Sequence, residues 1–139
     1  MPQAEPGNTK ILIVDDELGP RMSLKVLLSK QSNYLCLLAG DHEAAIGLLN
    51  EHPDIKLAIL DLRMPVMGPD LLSILRRSSP DLRAILFTAW NDLAGSEQDQ
   101  RLSALGFNAL LNKPSSEATV VETVAKALSE PARPITKSY

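Results

Sequence analysis

The stretch KILIVDDE, residues 10–17, runs four apolar residues straight into three acids. Consecutive apolar residues without polar alternation are the pattern of a strand covered on both faces. No turn residue separates Val14 from Asp15, so the acids sit at the strand's very end. Residues 56–60 form another such run, ending against Asp61, and residues 84–87 a further one, ending against Thr88.

Between these runs the pattern turns helical. Residues 18–30 set Met22, Leu24, Val26, Leu27 and Leu28 beside Arg21, Lys25 and Lys30, and Pro20 fits the first turn of that helix. Residues 34–39 read as a second strand. HEAAIGLLNEH, residues 42–52, reads as a helix stopped by Pro53, and residues 69–77 as a third stopped by Pro80. A fourth helix is expected over 93–105, closed by Gly106. A short fifth strand follows at 109–111, then a fifth helix over 116–128, with Ser115 or Ser116 as its N-cap and Glu117 in its first turn. Strand and helix alternate five times, which calls for an α/β fold: a parallel sheet with helices on both faces. Right-handed crossovers leave few topologies. Sites in such sheets lie beyond the carboxyl ends of the strands.

The bulk numbers narrow the function. A chain of 139 residues fits one domain, and at that size roughly 68–70% of the extended chain's surface is buried on folding. A net charge of −3 gives no basic footprint for nucleic acid or an anionic membrane. Cys36 is the one cysteine, so neither a disulfide framework nor a thiolate metal cluster is available, and it reads as a core residue. No apolar run approaches ~18 residues and the amino terminus has no signal pattern, so a cytoplasmic protein is expected. Residues 1–8 read as a loose tail, 9–129 as the domain, and 130–139 as a free tail or the start of a linker.

Aligning the strands in parallel gathers Asp15, Asp16, Asp61, Thr88 and Lys113 at one rim. Two carboxylates ~5 Å apart repel by about 3 kcal/mol at an effective dielectric of ~20. Three of them call for a cation, and oxygen-only ligands favour a hard one, Mg²⁺ before Zn²⁺. A carboxylate beside such an ion can attack a phosphoryl group.

These motifs together, ILIVDDE, DLRMP, FTA and LNKP, resemble the receiver domain of two-component response regulators, and the resemblance covers nearly the whole chain. It implies a flavodoxin-like (βα)5 fold with strand order 2-1-3-4-5. It implies Asp61 as phosphoacceptor, Thr88 as the switch hydroxyl and Lys113 as the phosphoryl partner. Mg²⁺ would be held by Asp16 directly, by Asp15 mainly through water, by Asp61 and by the backbone carbonyl of Arg63. The Lys113–Pro114 bond is expected to be cis, and Arg63 and Trp90 to flank the acyl phosphate. The implied partners are a histidine kinase or phosphotransfer protein and a downstream effector or output domain, with the chain itself a monomer or weak homodimer. Such a switch catalyses only its own phosphorylation and dephosphorylation.

Three features depart from the family's pattern. MPVMGPDLL is shorter than usual before the third helix, and the segment from Thr88 to Gly106 is longer. The family's aromatic switch position holds Leu110. That leucine keeps a second reading open, a degenerate receiver that only docks proteins. A haloacid-dehalogenase-type phosphatase is disfavoured by Arg63, which stands where a second acid is needed. A flavin carrier is disfavoured by DDE, where the flavin phosphate would sit.

Overall fold

β1 (Thr9–Val14) pairs in parallel with β2 (Tyr34–Ala39) on one side and β3 (Ile55–Asp61) on the other. β3 pairs with β4 (Arg83–Thr88) and β4 with β5 (Ala109–Asn112), again in parallel, which gives the expected order β2-β1-β3-β4-β5. The computed structural model describes residues 9–31, 33–61, 68–88, 102–113 and 115–136. The described helices are α1 (Leu18–Ser29), α2 (His42–Glu51), α3 (Gly68–Ser78) and α4 (Glu117–Ser129). α4 is the helix that the sequence placed fifth. Of the helix expected over 93–105, a helical turn at 102–104 is described, Leu105 lies in the turn that follows, and residues 93–101 lie outside the described residues.

The unbroken apolar runs are explained by two cores, one on each face of the sheet. Ile11, Ile13, Leu57, Ile59, Ile85 and Phe87 pack with Leu24 and Leu28 of α1 and Val120 and Val124 of α4. The alternate residues Leu12, Val14, Ala58, Leu60, Ala84 and Leu86 pack with Ala45 and Leu49 of α2 and Leu71, Leu72 and Leu75 of α3. Strand residues point to opposite faces in turn, so both parities must be apolar. Each fully buried leucine or isoleucine contributes roughly 1.5–3 kcal/mol. Cys36 belongs to the first core, and burial pushes its thiol pKa up, as an inert core cysteine requires.

Local signals set the helix boundaries. Pro20 falls in the first turn of α1. Asp41 caps α2, its carboxylate accepting from the Ala44 N–H at 2.8 Å. Ser116, not Ser115, caps α4 by accepting from the Thr119 N–H at 3.1 Å. Gly106 takes φ 95° just after the turn at 102–104, a conformation that favours glycine.

Residues 130–136, expected as a free tail or the start of a linker, are held against the domain as far as Thr136. Residues 130–136 fold back as a strap along the edge where β4 and β5 begin. Arg76, near the end of α3, donates to the carbonyls of Leu82, Gly106 and Arg133. Asn108 donates to the Pro131 carbonyl at 3.0 Å, and the Thr136 N–H donates to the Ala104 carbonyl at 2.7 Å. The helical turn at 102–104 has carbonyls without intrahelical partners, and the strap satisfies one of them. Proline and polar residues carry no apolar periodicity, so nothing in the segment's own sequence announces this packing.

A Cβ on Gly106 would lie 2.7 Å from Ile135 Cγ1 and 2.8 Å from Arg76 Nη1. Gly106→Ala is therefore expected to destabilise the domain by roughly 2–4 kcal/mol, combining backbone strain with crowding against the strap. The measurement is the shift in urea midpoint.

Candidate functional site

The carboxyl ends of β1, β3, β4 and β5 converge as the parallel register requires. Val14 pairs with Leu60, Asp61 with Phe87, and Thr88 with Asn112. Asp15 therefore leaves β1 beside the end of β3, where Asp61 is the last strand residue. Asp61 continues the Leu57 and Ile59 series, which faces α1 and α4. The Lys113 N–H donates to the Thr88 carbonyl at 2.8 Å, which ties the lysine's backbone to the end of β4.

Asp15, Asp16 and Asp61 each present a carboxylate oxygen, and these oxygens lie within 4.8 Å of one another. Asp15 is 2% exposed and Asp61 5%, whereas Asp16 is exposed. Both oxygens of Asp15 are engaged: Oδ1 accepts from the Glu17 N–H at 2.9 Å, and Oδ2 from the Lys113 ammonium at 2.8 Å. That ammonium also lies 3.5 Å from Asp61 Oδ1. It stands 5.1 Å from the centre of the Phe87 ring, so the ring face supports the charge from below. An apolar cavity of about 450 Å³ between α1 and α4, lined by Leu24, Leu27, Phe87 and Val120, flanks the lysine.

The charge does not balance. Among the described residues, the carboxylates of Asp15, Asp16 and Asp61 face the Lys113 ammonium, a formal excess of two negative charges. Among the described residues the donors are all carboxylate oxygens, with no imidazole or thiolate among them. That set fits a hard divalent cation that keeps several waters, with the exposed Asp16 on the open side. Thr88 is 1% exposed, at the end of β4 on the same rim.

The structure thus brings together five of the residues singled out in the sequence: Asp15, Asp16, Asp61, Thr88 and Lys113. Arg63, Trp90 and Pro114 lie outside the described residues, so the Arg63 carbonyl, the Trp90 shield and the cis bond are neither placed nor displaced. Leu110 is half-buried against the α2–α3 core. Three contributors were not anticipated: Phe87 beneath the lysine, the Glu17 N–H on Asp15, and Arg21, whose Nη1 donates to the Asp15 carbonyl at 2.8 Å. Of these only Arg21 left a trace in the sequence, as a cation closely following the acid pair.

Comparison with known proteins gives a consistent picture. The family described as the response regulator receiver domain matches residues 11–125. Sporulation initiation phosphotransferase F of Bacillus subtilis (strain 168) is 32% identical over 99 residues, covering 70% of this chain and 78% of that protein. A probable chemotaxis protein CheY of Rhizobium etli is 35% identical over 108 residues, covering 76% of this chain and 81% of that protein. Other relatives are longer, and the chain spans 20% to 35% of their length. Among solved structures, the CheX–CheY–BeF3–Mg²⁺ complex from Borrelia burgdorferi superposes with a TM-score of 0.74 at 25% identity, covering 88% of this chain and 90% of that one. No described helix is long and apolar enough to cross a membrane.

With three like charges and one ammonium, removing the exposed acid should relieve the metal-free state. In chelator at low salt, Asp16→Asn is expected to raise stability by about 0.5–1 kcal/mol, the pairwise repulsion being discounted for solvent exposure. Urea titrations in rising salt check this, since the gain should shrink as screening grows.

Proposed function

Because the chain belongs to the response regulator receiver domain family of two-component signalling, we propose that it is a switch whose Asp61 accepts a phosphoryl group, with Mg²⁺ bound, from a histidine kinase or phosphotransfer protein. The observation that carries this reading is the Lys113 ammonium, 2.8 Å from Asp15 and 3.5 Å from Asp61, set within a trio of carboxylates. The reading assigns the ion to Asp16 directly, to Asp15 mainly through water, to Asp61 and to the Arg63 carbonyl. Once bound, Mg²⁺ offsets the excess negative charge and polarises the phosphoryl oxygens.

The chain's own groups do the rest. Asp61 is the nucleophile: one carboxylate oxygen bonds to phosphorus as the bond from phosphorus to the donor imidazole nitrogen breaks, and the imidazole keeps that electron pair. Lys113, steadied by Asp15 and by the Phe87 ring, pairs with one phosphoryl oxygen. The Thr88 hydroxyl donates to another. The surrounding core limits water, so the acyl phosphate outlives the transfer. In this reading the chain catalyses only its own phosphorylation and dephosphorylation.

The added charge, ~ −2, lands at the ends of β3 and β4 and biases a nearby surface toward a second state. Leu110 offers no ring and hydroxyl to rearrange, so the signal leaves through Thr88 and the β4–β5 pair. An effector or output domain reads that surface. The competing reading, a receiver that only docks proteins, would leave Asp61 unphosphorylated.

Incubation with a small acyl phosphate and Mg²⁺, followed by mass spectrometry, tests the proposal. The expected result is one phosphoryl group per chain, absent in Asp61→Asn and absent after chelation. Lys113→Ala is expected to slow labelling roughly 10²-fold. Label persisting in Asp61→Asn would overturn the assignment.

A further inference from the structure

The turn that carries Asp15 and Asp16 is held from outside the pocket. Arg21, half-buried on α1, donates from Nη1 to the Asp15 carbonyl at 2.8 Å. That carbonyl belongs to the peptide joining Asp15 to Asp16, so fixing it fixes the direction in which the exposed acid departs. Two more bonds close the turn. The Glu17 N–H donates to Asp15 Oδ1 at 2.9 Å, and the Asp15 N–H donates to the Ala39 carbonyl at 3.2 Å. Next after Ala39 comes Gly40. A Cβ there would lie 2.6 Å from Arg21 Nη1, 3.6 Å from Cζ and 3.9 Å from Nη2. The three atoms nearest to such a Cβ all belong to the Arg21 guanidinium. Gly40 is not in the left-handed region, which among the described residues only Gly106 occupies. The backbone at Gly40 therefore tolerates a side chain, and what a methyl group would disturb is the guanidinium's seat.

From this geometry we infer that Arg21 is a positioning residue for the acidic pocket, and that Gly40 lacks a side chain so that the guanidinium can reach the Asp15 carbonyl. A guanidinium is the free end of a flexible side chain, so Gly40→Ala displaces it at little cost to the fold. The inference rests on the reading of Asp15 and Asp16 as metal ligands. It adds a residue on α1 and one at the end of β2 that touch neither metal nor phosphoryl group. Removal of such supporting contacts costs a metal site 10- to 100-fold in affinity in typical cases.

The test is a double-mutant cycle with two readouts, Mg²⁺ affinity by titration calorimetry and hydrogen exchange at the Glu17 amide. Arg21→Ala is expected to weaken Mg²⁺ binding roughly 10-fold or more and to speed exchange at Glu17. Gly40→Ala should shift both readouts in the same direction while leaving the urea midpoint nearly in place. Added to Arg21→Ala, Gly40→Ala should change nothing further, because its effect runs through a side chain already gone. The inference is overturned if Arg21→Ala lowers the urea midpoint but leaves Mg²⁺ affinity and Glu17 exchange unaltered. It is equally overturned if Gly40→Ala costs as much affinity in the Arg21→Ala background as in the wild type. Should the wild-type chain fail to bind Mg²⁺, the metal reading falls, and Glu17 exchange alone decides whether Arg21 holds the turn.

Discussion

The Lys113 ammonium reaches back 98 residues along the chain to bond Asp15, and it lies within ion-pair range of Asp61 as well. Both carboxylates are almost wholly buried, and a buried carboxylate without a partner is costly. The lysine, together with the Glu17 N–H on Asp15, thus helps two apolar strands to end in buried acids. It is not enough for all three acids, and the excess negative charge it leaves is what fits the pocket to a divalent cation.

The sheet supplies the geometry that this pairing needs. Parallel pairing in the order β2-β1-β3-β4-β5 sets the ends of β1, β3, β4 and β5 side by side. Two-sided burial then dictates apolar residues up to the final position of each strand, so polarity appears abruptly at the rim. That abruptness is why KILIVDDE looks anomalous in isolation and ordinary in place. The same burial keeps the local dielectric low, which strengthens the pull of Lys113 on the carboxylates.

What the sequence disclosed follows from this. Strand runs, helix stops at Pro53 and Pro80, the Ser116 cap and the acids at strand ends are local patterns, and the structure bears them out within a residue or two. The gathering of Asp15, Asp16, Asp61, Thr88 and Lys113 needed only the inference of parallel strands. Contacts between side chains and distant backbone carbonyls leave no such pattern. Arg76 is half-buried, and burial draws its pKa below the usual guanidinium value. Arg21 stands in the sequence only as a cation closely following the acid pair. Asn108 gave no hint that it would accept from the Ala84 N–H on one side and donate to the strap on the other. Residues 130–136, polar and proline-containing, read as a tail because a segment held by its carbonyls needs no hydrophobic face.

The strap also bears on β5. That strand has four residues, among the shortest possible partners for β4. At its start Asn108 is bonded to the Pro131 carbonyl, and just past its end Lys113 is bonded to Asp15. A slip of one position would turn every side chain to the wrong face and break both anchors together. So brief an edge strand would ordinarily be the sheet's frayed hem; here it is stitched at each end, and its alignment is locked by contacts that lie outside the sheet.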